Sequence, residues 1–259
     1  MTTFNWIFAA TLAGAALSII SAFGFTFRSS AARLPMLVSY AVGALLGAVF
    51  LYILPQALAH PASIGQRTAT ILIGILAFFT LERLVLWRHS HMQPWRAHAH
   101  NDNSQRDGKA GYEILVGDIF HNLVDGILIA AAFITDIKLG IVTAVAIIAH
   151  EVPQAAGDYL TLRHSGFPKS KAIAFNLFSS LSTLVGGVIG YFVLQALETW
   201  VSPVLALTAA SMIYLAIADL IPDLHKRPEL PATIEQVLLI ALGIATIAGV
   251  GWIAGLLDG

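Results

Sequence analysis

The sequence predicts an all-α integral membrane protein with eight transmembrane helices. The first observation behind this prediction is composition: 57% of the 259 residues are hydrophobic and 11% are charged, whereas a soluble domain has about 25% charged residues. The second is that the apolar residues come in repeated runs of roughly 20, the length that a helix needs to cross a bilayer. Because every backbone polar group in lipid must be hydrogen-bonded within the protein, runs of this length favour helices over barrel strands.

The eight apolar runs follow one another, mostly with short connections that suit antiparallel neighbouring helices. The first run has no basic segment before it and is long enough to cross a membrane, so we expect a retained helix rather than a cleaved signal peptide. The absence of cysteine excludes disulfides and thiolate metal ligands. We expect a single transmembrane domain over residues 1–259, with spans at 4–27, 35–59, 68–87, 112–134, 138–162, 170–195, 201–222 and 234–257.

The basic residues predict the orientation of these helices. Lys and Arg collect in the cytoplasmic connections of membrane proteins. Twelve of the 14 Lys and Arg residues lie at the first, third, fifth and seventh connections, and the other two are Arg67 and Lys138. We therefore expect both termini outside the cytoplasm and the connection 88–111 inside it. A short chain without a targeting segment favours a prokaryotic inner (plasma) membrane.

The connection 88–111 is the one sizeable polar segment of the sequence. It contains His89, His91, His98 and His100. Histidine-rich tracts bind metal in some proteins, and a solvated loop with incidental histidines is the alternative. The sequence leaves both interpretations open.

Two short segments resemble each other at opposite ends of the chain. The segment 52–56, Tyr-Ile-Leu-Pro-Gln, ends the second span, and the segment 219–223, Asp-Leu-Ile-Pro-Asp, ends the seventh. On the expected topology these two ends face opposite sides of the membrane, as the halves of an inverted repeat do in many transporters. Two ordinary prolines at helix ends would produce the same pattern.

Polar side chains interrupt the fourth span near its middle. Asp118, His121, Asn122 and Asp125 are separated by three or four residues, so they share one face of a helix. A charged side chain at the bilayer centre costs about 2.5–3.5 kcal/mol on insertion scales, which is why such residues are usually functional. This face is therefore expected to carry the chemistry of the protein.

The fifth span carries a matching polar face. His150, Gln154 and Asp158 repeat every four residues and Glu151 flanks them, so two antiparallel helices would bring both faces together at mid-membrane depth. Imidazole with carboxylate suits zinc, iron, cobalt and nickel better than calcium or magnesium. We predict no catalytic residue and no prosthetic group. The predicted metal ligands are His121, Asn122, Asp125, His150, Glu151 and Gln154, with Asp118 and Asp158 as steps on a path towards the cytoplasm. Asp158 could instead satisfy neighbouring groups at the interface.

These residues form a recognisable pattern. His121-Asn122-x-x-Asp125-Gly126, taken with His150-Glu151-Val152-Pro153-Gln154-x-x-Gly157-Asp158, resembles the signatures of the ZIP (Zrt/Irt-like) family of divalent metal transporters. The eight spans, the outside termini and the histidine-bearing loop are similar too. The resemblance implies a 3+2+3 helix arrangement and metal uptake through a site between spans four and five. The cargo it implies is zinc first, with iron, manganese or cadmium as alternatives.

The sequence departs from the family pattern at several positions. Gln154 stands where many members have His or Glu, and Ala155 where many have Glu, so the resemblance implies one metal more firmly than two. Ala48, Tyr52 and Gln56 of span two replace polar or acidic residues, so the outer pathway is expected to differ. Span six offers Asn176, Ser179, Ser180 and Thr183 but no carboxylate.

Three other functions fit the same residues. A proton-coupled carrier or channel without metal would use the His and Asp chain as a relay, and a metal sensor would bind without transporting. An intramembrane zinc protease is least favoured, because its His-Glu-x-x-His motif has Gln154 at the second histidine.

The expected partners are divalent metal ions and the lipid bilayer; the net charge of −1 gives no indication of nucleic-acid binding. The sequence also allows close helix packing at Gly43-x-x-x-Gly47 and at Gly186-Gly187-x-x-Gly190. Such contacts would lie either inside one protomer or between the two protomers of a homodimer.

Overall fold

The computed structural model describes residues 1–27, 34–59, 64–91, 103–226 and 229–256, with side chains over 1–24, 34–59, 64–81, 115–226 and 229–256. Across these residues the chain forms helices and no strand. Eight helical segments are long and apolar enough to cross a membrane. The all-α, eight-span prediction is therefore confirmed.

Two of the eight spans are composite. Span two is α2, a π-helix and α3, and span seven is a short 3₁₀ turn, α8, a second π-helix and α9. The other spans are single helices. The elements are α1 Thr3–Phe27, α2 Leu34–Ala48, a π-helix Val49–Ile53, α3 Leu54–Leu58, α4 Ile64–His91, α5 Asn103–Thr135, α6 Ile137–His164, α7 Lys169–Ala196, a 3₁₀ turn Glu198–Trp200, α8 Val201–Tyr214, a π-helix Leu215–Leu220, α9 Ile221–Leu224 and α10 Leu230–Gly255.

Span five is a single helix, α6, but Pro153 lies inside it and interrupts its hydrogen-bond ladder. Proline has no backbone N–H, so the carbonyl of the residue four positions earlier loses its donor. That residue is Ala149, next to His150. The break therefore falls beside a predicted metal ligand.

The helices reach beyond the spans that the sequence predicts. α4 continues to His91 and α5 begins at Asn103, so the predicted connection 88–111 is helical at both ends. Hydropathy marks where a helix leaves the apolar layer, and the helix itself continues into polar sequence wherever its backbone bonds can still form. His98 and His100 lie outside the described residues.

A tight turn at Asp136 joins spans four and five. The Asp136 side chain accepts a hydrogen bond of 2.9 Å from the backbone N–H of Leu139 and so caps the start of α6. Gly140 lies against the Phe133 ring: a Cβ at this position would be 2.1 Å from the ring. The turn therefore holds the two spans side by side, which aligns their polar faces.

The two π-helices have the same local cause. Each lies just ahead of a proline, Val49–Ile53 ahead of Pro55 and Leu215–Leu220 ahead of Pro222. A proline ring clashes with the carbonyl four residues earlier and leaves it without a donor, and a widened turn relieves that crowding. The resemblance between segments 52–56 and 219–223 thus corresponds to one backbone feature used twice.

Helix packing shows the same symmetry. The packing of span four on span six has its counterpart in the packing of span five on span one. The packing of span two on span eight corresponds to that of span seven on span three. The packing of span two on span five corresponds to that of span seven on span four. These pairs correspond when spans one to three are matched with six to eight and span four with span five. Matched spans run in opposite directions, because an odd number of steps along the chain separates them. This is a 3+2+3 arrangement with an inverted repeat.

Glycines permit the closest helix contacts, and these contacts lie inside the protomer. A Cβ on Gly126 of span four would be 2.1 Å from the Thr183 carbonyl oxygen, and one on Gly186 of span six would be 2.0 Å from that of Leu123. In spans two and eight, a Cβ on Gly43 would be 2.0 Å from a backbone oxygen of the facing helix. Any side chain at these positions would force the helices apart.

The apolar core lies to one side of the polar residues of spans four and five. We call the side where span one begins and span eight ends the termini side, and the side where α4 ends and α5 begins the loop side. On span four, Ile129 and Phe133 lie between Asp125 and the termini side and are buried. On span five, Ile147 and Val142 lie between His150 and the termini side and are also buried. These residues belong to one cluster with apolar residues of spans two and seven. The polar residues therefore sit at the edge of the core, with Asp118 and Asp158 on the loop side.

Candidate metal site

Three predicted ligands converge between spans four and five. His121 and Asp125 are one turn apart on span four, and His150 comes from span five. Asp125 Oδ2 lies 3.4 Å from His121 Nε2 and 3.2 Å from His150 Nε2, and the two imidazole nitrogens are 3.3 Å apart. The three atoms form a nearly equilateral triangle, a grouping that could hold a metal ion.

The size of this triangle is compatible with a tetrahedral zinc site. Zinc binds His nitrogen and carboxylate oxygen at about 2.0–2.2 Å, so neighbouring corners of its tetrahedron are roughly 3.3–3.5 Å apart. Neighbouring corners of an octahedron around Mg²⁺, with bonds of about 2.0–2.1 Å, are roughly 2.9 Å apart. The separations of 3.2–3.4 Å between the three atoms therefore match three corners of a zinc tetrahedron.

Two further predicted ligands offer oxygens for the remaining coordination. Asn122 and Glu151 are each 2% exposed. Asn122 Oδ1 and both carboxylate oxygens of Glu151 are buried without a hydrogen bond of ordinary geometry to the described part of the chain. Burying a polar or charged oxygen is costly unless something compensates it. A bound cation supplies that compensation, so the donor set fits a divalent metal.

Span one covers this part of the site. A Cβ on Gly14 would lie 3.6 Å from Oε2 of Glu151, and Ser18, one turn further along the same helix, is a hydroxyl neighbour of that carboxylate. The sequence analysis did not single out Gly14 or Ser18. The available signal was their spacing of four residues, which places a glycine and a hydroxyl on one face of a mostly apolar helix.

Gln154 and Asp118 belong to a second layer of contacts. Gln154 Nε2 donates to Asp118 Oδ1 at 2.7 Å, and Ser179 Oγ donates to Asp118 Oδ2. Asn122 Nδ2 donates to Ser179 Oγ at 2.6 Å and more weakly, at 3.4 Å, to Asp118 Oδ1. The structure thus places Gln154 beside the triangle, holding Asp118, and brings Ser179 of span six into the network.

The cluster is partly exposed at His121, and further carboxylates lie on its loop side. The His121 side chain is 28% exposed, compared with 4% for Asp125 and 2% for His150. Asp158 follows His150 by two turns, and one of its carboxylate oxygens is buried without a hydrogen-bond partner among the described residues. Asp118 and Asp219 are close enough to Asp158 to interact with it electrostatically. Spans four, five and seven therefore contribute one carboxylate each on this side.

The termini side has a different character. Next to the triangle, the apolar core of spans two, four and five is fully buried, including Ala48. Beyond it, a cavity of about 400 Å³ at the end of the bundle is lined by Tyr52, Gln56, Asp136 and Lys138, among others. The Lys138 ammonium lies 5.6 Å from the centre of the Tyr52 ring. Span two departs from the family pattern at Ala48, Tyr52 and Gln56. Ala48 thus lies in the core, and Tyr52 and Gln56 line this cavity.

Comparison with known proteins identifies the family of the chain. The family model described as ZIP Zinc transporter matches residues 89–251, which is more than half of the chain. The chain belongs to the ZIP family. Its relatives include the zinc transporter ZIP13 of Pongo abelii, 29% identical over 245 residues that cover 86% of this chain and 69% of that protein. ZIP13 of Homo sapiens is 28% identical, with 86% and 73% covered. The zinc transporter YKE4 of Saccharomyces cerevisiae is 27% identical, with 83% and 70% covered.

Membership of the ZIP family confirms the predicted resemblance and with it divalent metal transport through a multi-pass membrane protein. Transport, rather than peptide hydrolysis, is the function that the family carries. Gln154 also occupies the position where a zinc protease motif needs its second histidine, and here it donates to Asp118. Family membership does not identify the residues that bind the metal, and that assignment depends on the geometry of the site.

Proposed function

We propose that this ZIP family protein carries Zn²⁺ across the membrane through the triangle of His121, Asp125 and His150. The observation that carries the proposal is the separation of 3.2–3.4 Å between their three ligand atoms. Two imidazoles and a carboxylate give a borderline donor set that suits zinc. With no thiolate in the sequence, the site binds less tightly than a structural zinc site, which allows the ion to leave.

The other predicted ligands have different roles in this proposal. Asn122 Oδ1 and the Glu151 carboxylate offer the remaining oxygens of the shell around the ion, because they are buried and make no hydrogen bond of ordinary geometry within the described residues. Gln154 acts through Asp118, to which it donates. One metal is bound at a time, since Gln154 and Ala155 supply no carboxylate for a second ion.

Transport runs towards the loop side. Asp118, Asp158 and Asp219 line that side of the triangle, and a row of carboxylates lowers the energy of a divalent cation along its way. The distribution of Lys and Arg assigns the loop side to the cytoplasm, which leaves both termini outside. Zn²⁺ would therefore be taken up. Fe²⁺, Mn²⁺ and Cd²⁺ are secondary cargoes in this proposal, because the relatives of the chain are zinc transporters and the donor set also suits other transition-metal cations.

A prokaryotic inner (plasma) membrane as the location stays a prediction from the sequence, and so does a homodimer. The glycines that could have mediated a contact between protomers, Gly43 and Gly186, pack against helices of the same protomer. A dimer would need a different surface.

Zinc uptake into proteoliposomes tests the proposed function. His150→Ala removes one corner of the triangle, and His164→Ala is the matched control: His164 is on the same helix, exposed, and its Nδ1 lies 2.7 Å from the carbonyl oxygen of Leu160. We expect saturable uptake by the wild type and by His164→Ala, and a loss of more than about 100-fold in His150→Ala, beyond the 10–100-fold typical of losing an outer contact of a metal ligand. Equal uptake by all three proteins would contradict the site. Metal-independent acidification in its place would indicate a proton relay, and binding without uptake a sensor.

A further inference from the structure

Ser179 lies in span six, far along the chain from the metal ligands, yet it contacts two residues of the site. It is 1% exposed. Its hydroxyl donates to Asp118 Oδ2 and accepts from Asn122 Nδ2 at 2.6 Å. Ser179 therefore links a carboxylate and an amide that both belong to span four.

The direction of these hydrogen bonds fixes the orientation of the Asn122 amide. A serine hydroxyl has one hydrogen to donate, and a carboxylate accepts hydrogen bonds. Because the Ser179 hydrogen goes to Asp118, the Ser179 oxygen is left as an acceptor and must face the NH₂ group of Asn122. The reversed amide would place its carbonyl oxygen against the oxygens of Ser179 and Asp118, which is repulsive.

This orientation leaves the Asn122 carbonyl oxygen free. Asn122 Oδ1 is buried and has no hydrogen-bond partner among the described residues. Asn122 is also the residue next to His121, whose Nε2 is one corner of the triangle. A buried acceptor without a donor is unfavourable unless a cation takes it, and an amide oxygen is a suitable ligand to complete a site of two imidazoles and a carboxylate.

We propose that Ser179 is a positioning residue of the transport site, which holds the Asn122 amide so that its carbonyl oxygen is presented to the metal. The proposal rests on the proposed function of the triangle. Asp118 takes part as the acceptor of the Ser179 hydrogen, and Gln154 steadies Asp118 from span five at 2.7 Å. Loss of the Ser179 hydroxyl frees the amide to rotate, so the metal loses an oriented ligand while the triangle itself stays complete.

A double-mutant cycle on zinc uptake tests this role. The proteins are the wild type, Ser179→Ala, Asn122→Ala and the double variant, reconstituted at equal amounts of folded protein. Ser182→Ala is the matched control, because Ser182 is exposed on the same helix and bonds to its own backbone at Phe178. We expect Ser179→Ala to raise the KM for zinc about tenfold, within the range found for outer contacts of metal ligands, with the maximal rate within about twofold of wild type. Ser182→Ala should leave both parameters unchanged.

The decisive result is the coupling between the two positions. If Ser179 acts through Asn122, its removal from the Asn122→Ala protein raises the KM no further, because the amide it orients is already gone. Multiplicative effects in the double variant, or an unchanged KM in Ser179→Ala, would overturn the positioning role. If Ser179→Ala does not fold, Ser179→Cys replaces it in the cycle, since a thiol keeps the volume but is a weak hydrogen-bonding group; the same coupling is expected and the same multiplicative outcome would overturn the role.

The two proposals fail in different ways. A wild type with no saturable zinc uptake would overturn the proposed function and the role of Ser179 together. Saturable wild-type uptake with an uncoupled cycle would overturn the role of Ser179 alone.

Discussion

Spans two and seven share a backbone feature and differ in the side chains that it presents. Each has a π-helix just ahead of a proline, Pro55 or Pro222. Three residues before the proline stands Tyr52 in span two and Asp219 in span seven, and one residue after it stands Gln56 or Asp223. The repeated proline widens the helix in both halves of the molecule, and the side chains decide which of the two halves attracts a cation.

The same difference extends to the two sides of the metal site. Towards the termini side, the described residues next to the triangle form a buried apolar core, and the cavity beyond it is lined by Lys138 and Asp136, among others. Towards the loop side lie Asp118, Asp158 and Asp219. Carboxylates therefore lie on the loop side of the site and apolar residues on the termini side. A cation that crosses the membrane must also pass the apolar side.

Asp125→Asn is expected to have the largest effect, because Asp125 is the corner that both histidines contact and it lies where the two sides meet. Loss of its charge should reduce zinc uptake more than about 100-fold, as for loss of a direct ligand. The control is Glu198→Gln, an exposed acidic residue at the termini side. Equal rates in the two variants, measured by zinc uptake in proteoliposomes, would remove the triangle from the transport path.

Replacing the two prolines tests whether the widened turns serve function or only end helices. An alanine at 222 restores an N–H that can bond to the carbonyl of Ala218, so the turn should tighten and rotate Asp219 away from Asp158 by up to about 100°. We expect Pro222→Ala to lower uptake about tenfold, equivalent to about 1.4 kcal/mol, and Pro55→Ala to lower it less than about threefold. Equal effects would show that the two spans contribute alike.

A smaller effect on zinc uptake is expected when a single polar side chain of span two or span seven is replaced. Asp219→Asn should slow uptake about fivefold, or about 1 kcal/mol, through the maximal rate rather than KM, because Asp219 lies on the way out and not in the site. Gln56→Ala, at the termini side, should remain within about twofold. A fall in uptake for Gln56→Ala that exceeded the fall for Asp219→Asn would reverse the proposed contrast between the two sides.

Deletion of residues 92–102 should have the smallest effect. The segment falls between α4 and α5 in the sequence and contains none of the residues of the triangle. We expect uptake within about twofold of wild type in the same vesicle assay. A folded deletion variant with no transport would show that His98 and His100 are required.

Much of the fold follows from local sequence, and the site follows only in part. Hydropathy predicts the eight spans, and the spacing of His121 and Asp125 predicts that they share a helix face. That His150 completes the triangle depends on how spans four and five pack, which the short turn at Asp136 makes predictable. Helix ends were predicted less well, because hydropathy marks the apolar layer and not the end of hydrogen bonding.

The outer contacts of the site could not be predicted in the same way. Gln154 has the spacing of a ligand, and only the tertiary structure shows that it donates to Asp118. Ser179 is separated from Asn122 by 57 positions, so no local pattern connects them. The π-helices are visible in the sequence only through their prolines, since the widened turn arises from crowding at the backbone and not from a residue pattern.

The most direct test of the zinc triangle is X-ray absorption at the zinc edge on protein loaded with one equivalent of Zn²⁺. The wild type and His164→Ala should show a shell of four or five nitrogen and oxygen ligands near 2.0–2.1 Å, with scattering from two imidazole rings. His150→Ala should retain one ring. An unchanged count of imidazoles in His150→Ala, or a shell of six oxygens in the wild type, would contradict the assignment of His121, Asp125 and His150 as the metal-binding triangle.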